Sequence, residues 1–364
     1  MGVRAQAGEL ITAHRAERAG LRPVLCRDAA FYLGALVLLL GAATLGVLVG
    51  PADLSPAIVF HVLEGKLLFG VHTHVSALDS AIVWQLRAPR VVLAAIVGAT
   101  LATAGASYQG VFQNPLADPY LLGVAAGAGL GATLAVVVVH DPAAWAVNPI
   151  PLAAFAGALV SVALTYVLGR SGQRMRSTTS LILAGVAVAS FLTAIQTYAQ
   201  QRNTKTLLEV YSWILGGLSG ADWQEVLLVL PYVAVCGVVL LASRRLLDVM
   251  AVGDEEADSL GVRATRVRLL IVVAATLATA AVVAVSGLVG FVGIIVPHAI
   301  RLVVGPSYRR ILPLSILVGA AFLILADLVA RTALSPAEVP LGVVTAFFGA
   351  PFFLVVLRQS RRAS

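Results

Sequence analysis

Charged residues are scarce in this sequence: they make up 12% of its 364 residues, about half the share of a soluble globular domain. Hydrophobic residues make up 59%, and the long apolar runs carry no polar face at a 3.6-residue period, which excludes a large water-soluble helical protein. Lysine is nearly missing. Lys66 follows Gly65 but precedes Leu67, and Lys205 sits in no glycine-rich loop, so there is no G-x-x-x-x-G-K-[ST] phosphate loop. Any nucleotide-driven step therefore needs another chain. Cys26 and Cys236 are too far apart in sequence to form a metal-ligand pattern, and the histidines form none either; His72 and His74, two apart, are the nearest approach to one. His298, beside Pro297, reads as structural. No paired carboxylates, catalytic triad or Cys/His couple stands out, which leaves no basis for an enzyme.

What is present is a succession of apolar runs of about 20 residues, the length that crosses a hydrocarbon core of roughly 30 Å. Ten spans are expected, at about 31–50, 90–111, 120–139, 151–169, 180–200, 226–243, 268–286, 290–304, 311–330 and 340–357. The fold class is thus an all-α polytopic membrane protein, with residues 1–28 a basic N-terminal extension and 29–364 the membrane domain. Ten spans place both termini on one side. With the N-terminus in the cytoplasm, 19 of the 25 basic residues fall on inside segments, the bias the positive-inside rule requires. Topology therefore accounts for the +7 formal charge, and no nucleic-acid partner is expected. No cleavable signal peptide is evident, since the first apolar run is long enough to stay in the bilayer.

The hexamer ATLATA occurs at Ala99–Ala104 and again at Ala275–Ala280, in spans two and seven, which run in opposite directions. This fits an inverted repeat, and it fits coincidence between alanine-rich stretches. The segment GVFQNPLADPYLLG, residues 110–123, breaks the apolar pattern with Gln113, Asn114, Pro115, Asp118 and Pro119 at the inner end of span two. Prolines push the preceding residues out of the helical region. Such backbone is an ordinary turn, or it lines a cavity at membrane depth. The acidic stretch Val252–Val262, inside between spans six and seven, is a short helix former bracketed by Gly253 and Gly261. Outside charges are few: Arg87 and Arg90 flank Pro89, and Asp327 lies four residues before Arg331, placed to neutralise it. Interfacial snorkelling would explain arginines there.

Several linked segments carry a family resemblance: VGATLATAGASYQGVFQNPLADPYLLGVAAGAGLGA, then SLILAGVAVAS, SWILGGLSGADW, GDEEADSLGV, SGLVGFVGIIVPHAIRLVVG, LADLVAR and AEVPLGVVTAFFGAPFF. In this order, over about Arg87–Leu357, the chain resembles the FecCD family, the permeases of importers for ferric siderophores, haem and cobalamin. The resemblance implies a ten-span permease in the cytoplasmic membrane, with its translocation path at a homodimer interface. Two ATPase subunits on the cytoplasmic side would bind ATP and Mg, this chain holding no cofactor, and an extracytoplasmic binding protein would deliver cargo. It further implies a cytoplasmic gate at Asn114, Leu116, Thr178 and Thr179, although Ser177–Ser180 also suits a helix cap. ATPase coupling would fall to Gly253, Asp254, Glu255, Glu256, Leu260 and Gly261, and binding-protein docking to Arg87, Arg90 and Arg331. Gly185, Ala189, Thr193 and Gln196, at helical spacing in span five, form a weakly polar stripe that would line the path or pack another helix. Family frequency puts a siderophore or haem ahead of cobalamin as cargo. An ion-coupled transporter would carry ionisable residues deep in its spans, and these spans are nearly free of them.

Overall fold

Backbone N–H and C=O groups in hydrocarbon must be paired within the chain, so apolar runs of this length fold as helices. The computed structural model describes residues 28–67, 75–139, 145, 148–169 and 178–363. The first helices are α1 (Asp28–Leu48), α2 (Pro56–Leu67), α3 (Ala77–Val111), α4 (Val124–Val138) and α5 (Pro149–Gly169). They are followed by α6 (Thr178–Arg202), α7 (Leu207–Ile214), α8 (Trp223–Ala242), α9 (Arg244–Met250) and α10 (Asp254–Ser259). The last four are α11 (Ala264–Ser286), α12 (Val292–Val304), α13 (Tyr308–Thr332) and α14 (Leu341–Ala363). Among the described residues there is no β-strand, only one isolated bridge between Leu334 and Ala337.

Each of the ten expected spans is occupied by a helix. Seven of them (α1, α3, α5, α6, α8, α11 and α13) are long and apolar enough to cross a membrane. The other three, Val124–Val138, Val292–Val304 and Leu341–Leu354, are shorter apolar helices. The expected extension at residues 1–28 lies outside the described residues except for Asp28.

The core is built on α3 and α11, the helices that carry ATLATA; 78% and 72% of their apolar windows are buried. Thr103 and Thr279 occupy the same place in the two hexamers, and each donates its hydroxyl to the carbonyl four residues back at 2.7 Å. Thr100 also bonds within its helix, whereas Thr276 pairs with the Tyr108 hydroxyl of α3 at 2.6 Å and so links the two helices. The small side chains let backbones meet: Gly98 abuts Gly319 of α13, and Gly105 abuts Gly293 of α12.

Two prolines shape these helices. Pro89 has no N–H to give the carbonyl one turn back. It stands in the first turn of an α-helical segment, but the helix does not begin there. A π-helical stretch, Ile82–Arg87, precedes it and carries the helix back to Ala77. Its wider bonding runs five residues, with the Ala88 N–H reaching the Val83 carbonyl. Pro297, inside α12, likewise leaves the Gly293 carbonyl without its helical donor. The buried Gln109 side chain of α3 supplies it, Nε2 donating at 3.1 Å.

Candidate functional site

The functional residues sort to two ends of α3, whose α-helical part alone, Ala88–Val111, is about 36 Å long. At one end lie Gln109, Gln113, Met250 and Arg301, together with Arg310, which pairs with Asp28 at 3.1 Å. At the other lie Arg87, Arg90, Asp327, Arg331 and Glu338. The residues assigned to inside and outside from the basic-residue count are therefore separated in space.

At the first end α3 stops at Val111, and the chain turns through Gln113, a non-glycine residue at φ +49°. The Asn114 N–H still reaches the Gln109 carbonyl at 3.1 Å, while its side-chain Oδ1 accepts from the Leu116 N–H at 2.9 Å. Asn114 is exposed, and Leu116 is 36% exposed at the tip of this turn. Asp118 then accepts from the Tyr120 N–H at 2.8 Å, capping the 3₁₀ turn Pro119–Leu122. This turn packs on α6, where a side chain at Gly185 would strike the Leu121 carbonyl. Thr178 and Thr179 open α6, but their side chains lie outside what is described.

Asp118 lies in the connection between α3 and α4. Burial raises its carboxyl pKa to about 6, against the lowering effect of the Tyr120 N–H. A carboxyl raised in the folded state loses stability as pH climbs from the unfolded pKa of about 3.9 through the folded one. Asp118→Asn keeps the acceptor and removes the titration. Its thermal midpoint is expected to gain on the parent between pH 4 and 6 and to hold a constant lead above that; parallel melting curves in detergent across pH check this.

The α6 stripe divides. Ala189, Thr193 and Gln196 line one cavity of about 390 Å³ together with Tyr120, Gly123, Ala125 and Ala126. Gly185 instead makes the close contact with Leu121, and Gln196 also donates to Thr133 of α4 at 3.2 Å. Helix packing and cavity lining are thus both present in this stripe, and Gln196 takes part in both.

The acidic stretch forms α10 between Gly253 at φ +145° and Gly261 at φ +81°. Ala257 is fully buried and anchors it, while Glu255, Glu256 and Leu260 are exposed, Leu260 by 69%. The Asp254 side chain lies outside the described residues. The segment therefore offers carboxylates and an apolar side chain together on its free surface.

The outer arginines are engaged within the chain. Arg87 is 4% exposed; its guanidinium donates to the carbonyls of Val47, Leu48 and Ala52, closing the end of α1. Arg331 is 2% exposed, bonded to the Gly46 carbonyl and 3.6 Å from Asp327. Arg90 grips Asp327 at 2.9 Å and Glu338 at 2.7 Å. Held in this way, the guanidiniums brace the ends of α1, α3 and α13. The sequence hides this, because each carbonyl partner lies about 35 residues or more away in the chain. Asp327 neutralises Arg331, as its spacing indicated. Glu338, which lies in the segment AEVPLGVVTAFFGAPFF but has no role implied by it, is held over Arg90 because the Val339 N–H bonds the Ala330 carbonyl at 2.8 Å. The hydrogen bond from Arg90 lowers the Glu338 pKa. His298 packs edge-on against Phe352 at 5.9 Å, and among the described residues no three His, Cys, Asp or Glu side chains converge as a metal site would require.

The model of the FecCD transport family matches residues 36–359. A cobalamin import system permease of Halobacterium salinarum is 44% identical over 278 residues, covering 76% of this chain and 73% of that protein. An uncharacterised ABC transporter permease of Bacillus subtilis is 39% identical over 92% of this chain and 95% of its own length. A vitamin B12 import permease of Salmonella paratyphi A is 41% identical over 79% of this chain and 86% of its own. Among solved structures, an inward-facing conformation described as of a metal-chelate type ABC transporter superposes with TM-score 0.75 at 28% identity, covering 90% of this chain and 98% of that one.

Proposed function

Because the chain belongs to the FecCD transport family and is the permease subunit of an ABC importer, we propose that its cargo is a corrinoid of the cobalamin type. The observation that carries this is the 44% identity to a cobalamin import permease over three quarters of the chain. It reverses the order taken from family frequency, so a ferric siderophore or haem becomes the second reading, favoured by the metal-chelate neighbour.

In such an importer ATP is hydrolysed by a partner subunit, and a binding protein supplies the cargo. In this reading two copies of the chain pair in the cytoplasmic membrane, with both termini in the cytoplasm and no cofactor of their own. The path runs along the cavity faced by Ala189, Thr193 and Gln196. Asn114 and Leu116 stand at its inner end beside the start of α6, where Thr178 and Thr179 would complete the constriction. A wall of small and amide side chains suits a bulky cargo, because it binds nothing strongly. Segment 252–262, with Glu255, Glu256 and Leu260 on its free surface and Asp254 at its start, docks on the ATPase. At the outer end an acidic group of the binding protein would take the place of Glu338, 36% exposed, on Arg90, with Arg87 and Arg331 holding the platform beneath.

Two experiments follow. Purified with its ATPase and binding protein, the permease is expected to show ATPase stimulation by cobalamin-loaded binding protein above that with a ferric siderophore or haem; the opposite order would refute the cargo. Reversing charge at Glu255 and Glu256 together should cost ATPase association at least tenfold in affinity, about 1.4 kcal/mol, while binding-protein docking is unchanged. Co-purification yield and ATPase titration measure this.

A further inference from the structure

Gln113 lies between the two elements that the proposed mechanism has to connect, and its conformation is costly. A side chain larger than glycine at φ +49° is held against an unfavourable backbone, a cost of order 1–3 kcal/mol. Its amide reaches across 137 positions of sequence, Nε2 donating to the Met250 carbonyl at 2.6 Å. That carbonyl ends α9, where helical partners run out, and Met250 is fully buried. Three residues further along the chain is Gly253, where α10 begins. On the other side the residue after Gln113 is Asn114, whose Oδ1 shapes the turn at Leu116.

The surroundings separate what is fixed from what can move. Gln109, one turn earlier on α3, is tied to α12 through the Gly293 carbonyl, and Arg301 of α12 donates to its Oε1 at 3.1 Å. Arg301 also bonds the Tyr308 hydroxyl at 3.2 Å, and Asp248 of α9 receives the Ser307 hydroxyl at 2.9 Å and the Tyr308 N–H. The end of α3 is thus braced up to Gln109. Beyond it, among the described residues, the side-chain hydrogen bond that ties the turn to α9 is that of Gln113, beside the packing of Gly110 on Leu247.

We infer that Gln113 is a positioning residue that transmits movement of segment 252–262 to the turn Asn114–Pro119. Drawing α10 aside shifts the Met250 carbonyl; the amide then lets go, the backbone at Gln113 relaxes from positive φ, and Leu116 moves with it. This deepens the reading of 252–262 as the ATPase contact and of Asn114 and Leu116 as the gate, and it rests on both.

The test uses the whole complex, permease with ATPase and binding protein, in proteoliposomes, and reads radiolabelled cyanocobalamin moved per ATP hydrolysed. Gln113→Gly removes the amide at no backbone cost; Gln113→Leu removes it while keeping bulk. Both are expected to assemble and hydrolyse ATP while the transport-to-hydrolysis ratio falls about tenfold, the factor that goes with one hydrogen bond at the upper end of its net worth. Met250→Leu, which leaves the carbonyl in place, should keep the parent ratio. An unchanged ratio in either Gln113 variant overturns the inference. So does a parallel fall in thermal midpoint, hydrolysis and transport, which is what a purely structural residue would give. If the unaltered complex fails to assemble through 252–262, the coupling reading itself falls; if only the Gln113 variants behave as the parent, the inference alone falls.

Discussion

Gly105→Ala is expected to deprive the protein of its folded state, or nearly so, despite adding a single methyl group. The new Cβ would fall within contact distance of the Gly293 carbonyl oxygen and Cα, both main-chain atoms that cannot rotate away. Overfilling a packed core usually costs 1–3 kcal/mol, of order, when side chains can adjust. Here α3 and α12 would have to separate, and separation also breaks the Gln109 bond to the Gly293 carbonyl, which Pro297 has left without another donor. A buried carbonyl with no partner adds roughly 1–3 kcal/mol. Gly237→Ala is the matched control, because nothing lies within 4 Å of a Cβ at that site in α8. Size-exclusion profiles and thermal midpoints in detergent should show Gly105→Ala aggregated or strongly destabilised and Gly237→Ala like the parent. A monodisperse Gly105→Ala with the parent midpoint would mean that the two helices do not cross where described.

The second large effect is expected at Asp327. Its carboxylate, 2% exposed, lies between Arg90 and Arg331, whose side chains are 11% and 3% exposed. Removing one member of a buried ion pair leaves a charge without compensation and costs about 3–5 kcal/mol. Arg90 would keep Glu338, but Arg331 would be left, among the described residues, with the Gly46 carbonyl as its hydrogen-bond partner. Asp327→Leu should therefore destabilise by that amount, and Asp327→Leu combined with Arg331→Met should recover most of it, since apolar groups of similar volume replace a buried pair at little cost. Thermal unfolding of the two variants in detergent decides the matter. Equal stability of the single variant and the parent would show that the cluster is hydrated.

Much of the architecture was legible because the physics is local. Span length follows from bilayer thickness, and the proline and Asx chemistry of residues 113–119 is written in adjacent residues. The motif order from Arg87 to Leu357 points to the family that the model match over 36–359 shows. What escaped was tertiary. Arg87 and Arg331 read as surface charges because their partners are carbonyls of α1 and of the residues after it, and no sequence pattern announces a carbonyl acceptor. Gln109 looks like an incidental polar residue until Pro297 is seen to leave the carbonyl it serves without a helical donor. The helix also runs past Pro89, because a π turn there re-pairs the backbone, where proline alone would suggest a start. Helices α4 and α12 fall below the length of a full span: the 3₁₀ turn Pro119–Leu122 takes the first residues of one apolar run, and the other run is short in the sequence as well.

Energy coupling tests the account most directly. Reconstituted with its ATPase and binding protein, the permease is predicted to take up radiolabelled cyanocobalamin only when ATP is on the ATPase side, with no uptake by the permease alone under an imposed proton or sodium gradient. Gradient-driven uptake by the isolated permease would contradict it.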